Sequence, residues 1–258
     1  MERLNFIKVH IEEHVFNLTL ARSEKRNAFS PTMVSEIAYA LNLANNDPNI
    51  YLVQIEAEGP VFCAGMDLKA FADPTSDTGN AAIPKVEKSL AEIFSCLDKP
   101  SICVLRGDVI AGGFLIALSC TYLFALPNVR FSLPEVKIGL FPFQVLALLI
   151  EFMPERKAMD LCIRGSSFSA QEALKKGILY EILDKEETGL VELKATILEN
   201  APLAISRGFA ALRKLKEQDF NDKYTFLLQS LSALRKTNDF KEGMDAMHNK
   251  RKANWKNS

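Results

Sequence analysis

Histidine is scarce in this chain, with three in 258 residues. The side chain that most often moves protons near neutral pH is almost missing. Acid–base chemistry must therefore fall to carboxylates, cysteines or backbone groups. An excess of one charge is missing too. Lys and Arg number 31 against 32 Asp and Glu, for a net charge of −1. That balance creates no broad field for nucleic acid or an anionic membrane, and leaves room only for a local basic patch that holds a phosphate. Paired cysteines are also lacking. The five are Cys63, Cys96, Cys103, Cys120 and Cys162. Their odd number, with no C-x-x-C spacing, argues against a disulfide framework and a zinc site. All five sit in apolar surroundings and are expected to be buried, reduced thiols. Met1–Glu13 has no apolar run of the kind a signal peptide carries, so a cytoplasmic location is expected.

One uncharged run needs separate treatment. Val109–Leu126 is 18 residues long, the lower limit for a membrane span. It contains Gly112-Gly113 and Ser119-Cys120-Thr121, ends before Pro127, and has no flanking cluster of Lys or Arg. It reads as a buried glycine turn, core helix and strand, and no membrane span is expected.

The first half alternates strand-like and helix-like stretches. Ile7–Ile11 and Val15–Leu20 form a hairpin pattern. Ser30-Pro31 supplies an N-cap and a proline at the first helical position, opening a helix to about Asn45. Tyr51–Ala57, Ile102–Leu105, Tyr122–Ala125 and Arg130–Ser132 read as strands. Val86–Leu97 reads as a helix, another begins at Leu115–Ser119, and Ser169–Lys176 is a helix closed by Gly177. Asp73–Ala82, rich in Thr, Ser, Gly, Asp and Asn, is expected to be a mobile surface loop. From about Leu190 the pattern is helical. The expected organisation is an α/β core over residues 1–189 and a helical region over residues 190–258.

Three stretches carry candidate chemistry: Phe62-Cys63-Ala64-Gly65-Met66-Asp67-Leu68-Lys69, Arg106-Gly107-Asp108-Val109-Ile110-Ala111-Gly112-Gly113-Phe114-Leu115, and Phe131-Ser132-Leu133-Pro134-Glu135-Val136-Lys137-Ile138-Gly139-Leu140-Phe141-Pro142. Each has an ordinary structural explanation by itself. Together, with Glu24–Ser30, Ser169–Ala173, Gly177, Glu242-Gly243-Met244 and Lys250–Trp255, they resemble the crotonase, or enoyl-CoA hydratase/isomerase, superfamily over essentially the whole chain.

The resemblance implies a right-handed spiral of ββα units with a C-terminal helical region used for trimerisation. It implies a homotrimer or a dimer of trimers. Coenzyme A enters as part of the substrate, with no permanently bound cofactor and no metal. The implied reaction removes a proton beside a thioester carbonyl. The resulting enolate needs fixed donors. By position, these are the backbone N–H groups of Met66 and Gly112, with the helix near Gly113 aiming its positive end at the thioester oxygen. The CoA contacts fall on Lys25, Arg26, Ala28, Ala64, Asp67, Leu68 and Lys250. Leu115, Phe141 and Phe143 fall in the acyl pocket.

One departure bears on the reaction. Many hydratases of the family place a glutamate where this chain has Leu115, and only the second acid–base glutamate is present, as Glu135. Ala111-Gly112-Gly113-Phe114-Leu115 with a lone glutamate resembles the mitochondrial-type Δ3,Δ2-enoyl-CoA isomerases. A 1,3 proton shift needs only one carboxylate. Glu135 is expected to sit among Leu133, Ile138, Leu140 and Phe141, and desolvation there to raise its pKa. The segment Phe141-Pro142-Phe143-Gln144 lacks the glycine-rich run common after that glutamate, while the tail resembles true hydratases. Three readings stand in order: an isomerase with Glu135 as sole proton shuttle, a 2-enoyl-CoA hydratase with one glutamate, and a catalytically weak acyl-CoA-binding homologue.

Overall fold

A computed structural model describes residues 2–77, 79–217 and 220–258. Among these residues the strands divide between two sheets. The first has the order β1 (Ile7–Glu12), β2 (Val15–Leu20), β3 (Leu52–Ala57), β5 (Ser101–Leu105), β7 (Tyr122–Ala125), β10 (Glu181–Ile182). The second has β4 (Val61–Cys63), β6 (Asp108–Ile110), β8 (Arg130–Ser132) and β9 (Ser167–Ser169). β1 and β2 form an antiparallel hairpin, and β9 runs antiparallel to β8. All other neighbouring pairs are parallel. The chain lays β3 in one sheet and β4 in the other, then repeats with β5 and β6, then with β7 and β8. Each turn of this ββα spiral adds one strand to each sheet.

The central strands of the first sheet are buried on both faces, and their side chains alternate between them. Phe16, Leu18, Val53, Ile55, Cys103, Leu105, Leu123 and Ala125 enter the main core. Leu52, Ile102, Val104 and Phe124 face the other way, against Leu190 and Ile197 of α8 (Thr188–Glu199). The 189/190 division falls inside α8.

Helix α1 (Pro31–Asn46) follows its sequence signals. The Ser30 hydroxyl accepts the Met33 N–H at 3.3 Å, and Met33, Ile37, Ala40, Leu41 and Ala44 are buried on one face. Helix α2 (Leu68–Ala72) follows β4. Helix α3 (Leu90–Ser95) is shorter than expected, because the Ser89–Glu92 capping box starts it four residues late. Val109–Leu126 splits as expected into the end of β6, α4 (Gly113–Ala117) and β7. No helix among the described residues is long and apolar enough to cross a membrane.

Helices α5 (Phe143–Phe152) and α6 (Glu155–Arg164) are absent from the sequence reading. Helix α5 is apolar almost all round, with Ile150 and Phe152 exposed and Val145 and Leu149 buried, whereas α6 buries Ala158, Leu161 and Cys162 on one face and leaves Met159 and Ile163 exposed. Helix α7 (Ala170–Lys175) opens with a capping box between Ser169 and Glu172. Helices α9 (Pro202–Glu217), α10 (Phe220–Leu234) and α11 (Asn238–His248) complete the chain.

Two expectations need correction. Cys96 is exposed, because α3 ends at Ser95 and leaves it as a C-cap. The stretch 73–82 is tied down. The Thr32 N–H and hydroxyl both donate to Asp77 at 2.8 Å. The Asn80 amide donates to the Arg3 carbonyl at 2.9 Å and to the buried Glu36 carboxylate at 2.7 Å. Its polar residues satisfy α1 and the N-terminal segment instead of facing only water. Residue 78 within it lies outside the described residues.

Candidate active site

The carboxyl ends of the parallel strands β4, β6 and β8 lie side by side. Cys63 pairs with Val109, and Ile110 pairs with Ser132. The residues that follow are Gly65-Met66, Gly112 and Glu135. Positions far apart in sequence thus converge on one sheet edge.

The first donor is set by a local bridge. Phe29 pairs with Met66: the Phe29 N–H donates to the Gly65 carbonyl at 2.8 Å, and the Asp67 N–H donates to the Phe29 carbonyl at 2.9 Å. That pattern uses the groups on either side of Met66. A trans peptide points the Met66 N–H opposite to the bonded Gly65 carbonyl. It has no hydrogen-bond partner among the described residues. Gly65 reaches this path at φ +89°, where L side chains are strained. A Cβ there would also stand 2.8 Å from the Gly112 nitrogen. The two turns are therefore in contact.

The second donor follows β6. Ala111 sits at φ +51°, an uncommon conformation for a non-glycine residue, and donates its N–H to the Ser132 carbonyl at 2.9 Å. The next N–H, of Gly112, has no partner among the described residues. Gly113 packs on β4, where an added Cβ would meet the Cys63 carbonyl oxygen at 2.5 Å. Helix α4 has five residues, so its positive end amounts to one turn of N–H groups and not a long macrodipole.

Glu135 lies in a short 3-10 helix, Pro134–Ile138, at the end of β8. Its Oε2 is buried with no hydrogen-bond partner among the described residues. Burial raises its pKa above the ordinary glutamate range. The source of that burial differs from the sequence expectation. Ile138 and Leu140 are exposed, at 66% and 48%. The turn packs instead on α6: Val136 closes against Gly165, and Cys162 feels the Glu135 charge, which with burial lifts its thiol to about 11.

A cavity of about 460 Å³ opens beside Met66, lined by Phe29, Val34, Met66, Phe71, Leu90, Leu115 and Gln144 among others; Gly112 and Glu135 are not part of its lining. Phe29 and Phe71 meet edge to face, with ring centroids 6.2 Å apart. Glu87, Lys88, Ser89 and Glu92 form a polar side of the lining. The Glu92 carboxylate is committed to the Ser89 cap, which holds it below the usual carboxylate range. Neither Phe141 nor Phe143 is part of this lining. Phe141 is half-buried against the core, and Phe143 is 74% exposed. Gln144 takes their place on the wall.

The residues expected to meet CoA, Lys250 excepted, cluster on one loop and the turn it embraces. Lys25 and Arg26 are exposed cations on a 3-10 turn, with Arg26 and Asn27 both left-handed at φ +52°. The Ala64 N–H donates to the Arg26 carbonyl at 3.0 Å. Asp67 caps α2 and pairs with Arg22 at 2.8 Å, which keeps its carboxyl ionised to lower pH than usual. Ala28 gives its carbonyl to the Arg22 guanidinium at 2.7 Å, and Leu68 is exposed as the first residue of α2. Lys250 is exposed after α11 at φ +52°.

Sequence reading missed Arg22 and Asn27. Asn27 is fully buried; its amide donates to the Glu58 and Val61 carbonyls at 2.8 Å, and its oxygen accepts the Arg22 N–H at 2.9 Å. The available signal was the left-handed tolerance of asparagine directly after two basic residues.

Comparison with known proteins bears on the family and the fold. The family model described as enoyl-CoA hydratase/isomerase matches residues 10–258. The chain is 30% identical to an enoyl-CoA hydratase of Mycobacterium tuberculosis, covering 95% of this chain and 94% of that one. It is 30% identical to a carnitinyl-CoA dehydratase of Salmonella enteritidis, covering 94% and 95%. Among solved structures, an enoyl-CoA hydratase of Mycobacterium marinum superposes with a TM-score of 0.86 at 26% identity, covering 98% and 99%.

Proposed function

The chain belongs to the enoyl-CoA hydratase/isomerase family and has the crotonase fold, and within that family we propose that it is a Δ3,Δ2-enoyl-CoA isomerase. The observation that carries this reading is Leu115. It is buried on the cavity wall beside Met66, where a second acid–base carboxylate would otherwise stand. The substrate thioester oxygen sits between the Met66 and Gly112 N–H groups. Glu135 takes a proton from C2 of a 3-enoyl-CoA. The two donors hold the enolate as the charge moves onto oxygen. The double bond shifts, and Glu135 returns the proton to C4. One carboxylate that begins and ends ionised completes the cycle, and no water is added. The unpartnered oxygen and the raised pKa suit a group that must accept a proton and release it.

CoA is bound as part of the substrate, by Lys25 and Arg26 at its phosphates and by the backbone at Ala28, Ala64, Asp67 and Leu68, with Lys250 reaching the adenine. The protein acts as a trimer or a pair of trimers, in the cytoplasm. Exposed apolar side chains such as Ile163, Leu228 and Met247 supply surface for that assembly.

The test is incubation with 3-enoyl-CoA and 2-enoyl-CoA, following products by mass. Interconversion of the two without mass gain is expected. Rapid addition of water to the 2-enoyl substrate replaces the isomerase reading with that of a one-glutamate hydratase, which the names of several relatives favour.

A further inference from the structure

The mechanism above uses no cysteine, yet one cysteine lies beneath both donor turns. Cys63 is fully buried at the end of β4. Its Sγ accepts the Gly65 N–H at 3.4 Å and lies 4.0 Å from the Gly65 carbonyl oxygen, within reach as a weak S–H donor. The side chain thus spans both peptide groups of Gly65, the residue held at φ +89°. The same Gly65 carbonyl is the one bonded by Phe29, whose bond points the Met66 N–H outward. Cys63 also touches the second turn. The Gly113 Cα lies so close that an added Cβ would be 2.5 Å from the Cys63 carbonyl oxygen and 3.1 Å from its Cβ.

We infer that Cys63 is a positioning residue for the oxyanion site: its thiol braces the strained Gly65 turn that presents the Met66 N–H, while its backbone seats Gly113 behind the Gly112 N–H. Burial pushes the thiol up to about 12, so it stays protonated and keeps its S–H donor through the neutral range. A thiolate here would repel the developing enolate. The role needs an acceptor and a donor at one short side chain, which serine retains. Alanine and valine keep neither.

This inference rests on the enolate-forming reading of the site, but not on which enolate reaction follows. The test therefore includes a readout that requires no turnover. A β-ketoacyl-CoA bound against the two donors is drawn toward its enolate, which absorbs in the near ultraviolet. Cys63→Ala, Cys63→Val and Cys63→Ser are compared with the unaltered chain for that band, for kcat and KM with 3-enoyl-CoA, and for thermal unfolding. A displaced donor costs rate more than binding. The expected result is a loss of about tenfold in kcat with little change in KM for Ala and Val, and a weakened enolate band. Cys63→Ser restores both to within about threefold, whatever the melting temperatures do. Valine, closer to cysteine in size, separates a lost hydrogen bond from a lost volume. Equal kcat and equal bands in all four proteins overturn the inference. So does a serine variant as impaired as alanine, or an unaltered chain that gives no band. A Cys63-dependent band without isomerase turnover supports the brace and sinks the isomerase reading alone.

Discussion

The two halves of the site are held in opposite ways. The donor corner is over-tied: Gly65 is bonded at its N–H and its carbonyl, Ala111 is bonded to Ser132, and the loop bearing Arg22 and Asn27 is stitched to the chain around β4. The Glu135 turn is under-tied, with one carboxylate oxygen buried and unpartnered. The difference suits what each half does in the proposed mechanism. Donors that stabilise an enolate gain from being fixed before charge appears. A proton carrier changes charge twice per cycle, and partners that held one charge state would oppose the other.

The largest expected break comes on the under-tied side. Glu135→Gln keeps the shape and removes the base, so kcat should fall about 10²–10⁴-fold with KM little changed, read from steady-state kinetics with 3-enoyl-CoA. On the tied side, Gly65→Ala meets both a positive φ and the Gly112 nitrogen. It should lose about 10²–10³ in kcat and also unfold more easily, which separates it from the glutamine variant in a melting experiment. Arg22→Ala leaves Asp67 unpaired with little exposure, Arg22 and Asp67 side chains being 8% and 18% accessible. Breaking a pair this buried should cost about 3 kcal/mol in denaturant unfolding, with most of the activity kept while the chain is folded.

The smallest effect sharpens the contrast through pH. The folded-state pKa of Glu135 is raised. The group therefore favours folding while protonated, at pH below its unfolded value, and that contribution is lost as pH rises through the folded value. Glu135→Gln should then melt about a degree or two higher than the unaltered chain at neutral pH, with the gap closing in acid. The same shift places the acid limb of kcat/KM at a higher pH than an ordinary glutamate would, because the free enzyme needs the carboxylate.

Much of the frame was legible in residues alone. Ser30-Pro31 marks the start of α1, Val and Ile mark β3 and β5, and the Tyr122 and Phe124 rings mark β7, because capping and side-chain shape act locally. Glu135, Met66 and Gly112 were legible only through resemblance, and their convergence on one edge depends on strand register, which no local pattern encodes. Helix α5 escaped because it is apolar on both its core and its surface sides, which weakens the 3.6-residue signal; α6 did carry that signal, in Ala158, Leu161 and Cys162, and was passed over. Phe143 looked like a pocket residue by type, but one position of helical rotation gives the wall to Gln144. The anchored stretch 73–82 escaped for another reason: composition cannot tell a polar residue that faces water from one that answers a buried carboxylate such as Glu36.

The alternation of strands between two sheets has a chemical reading. Each turn of the spiral delivers one loop to the same edge, so the two peptide donors and the proton carrier arrive on three separate loops. In the proposed mechanism the donors are main-chain groups of Met66 and Gly112, so their own side chains carry none of the charge. The proposed carrier and the apolar wall, at positions 135 and 115, are ordinary side chains on two separate turns. On that reading, a change at either position alters the proton chemistry and leaves the main-chain donors in place.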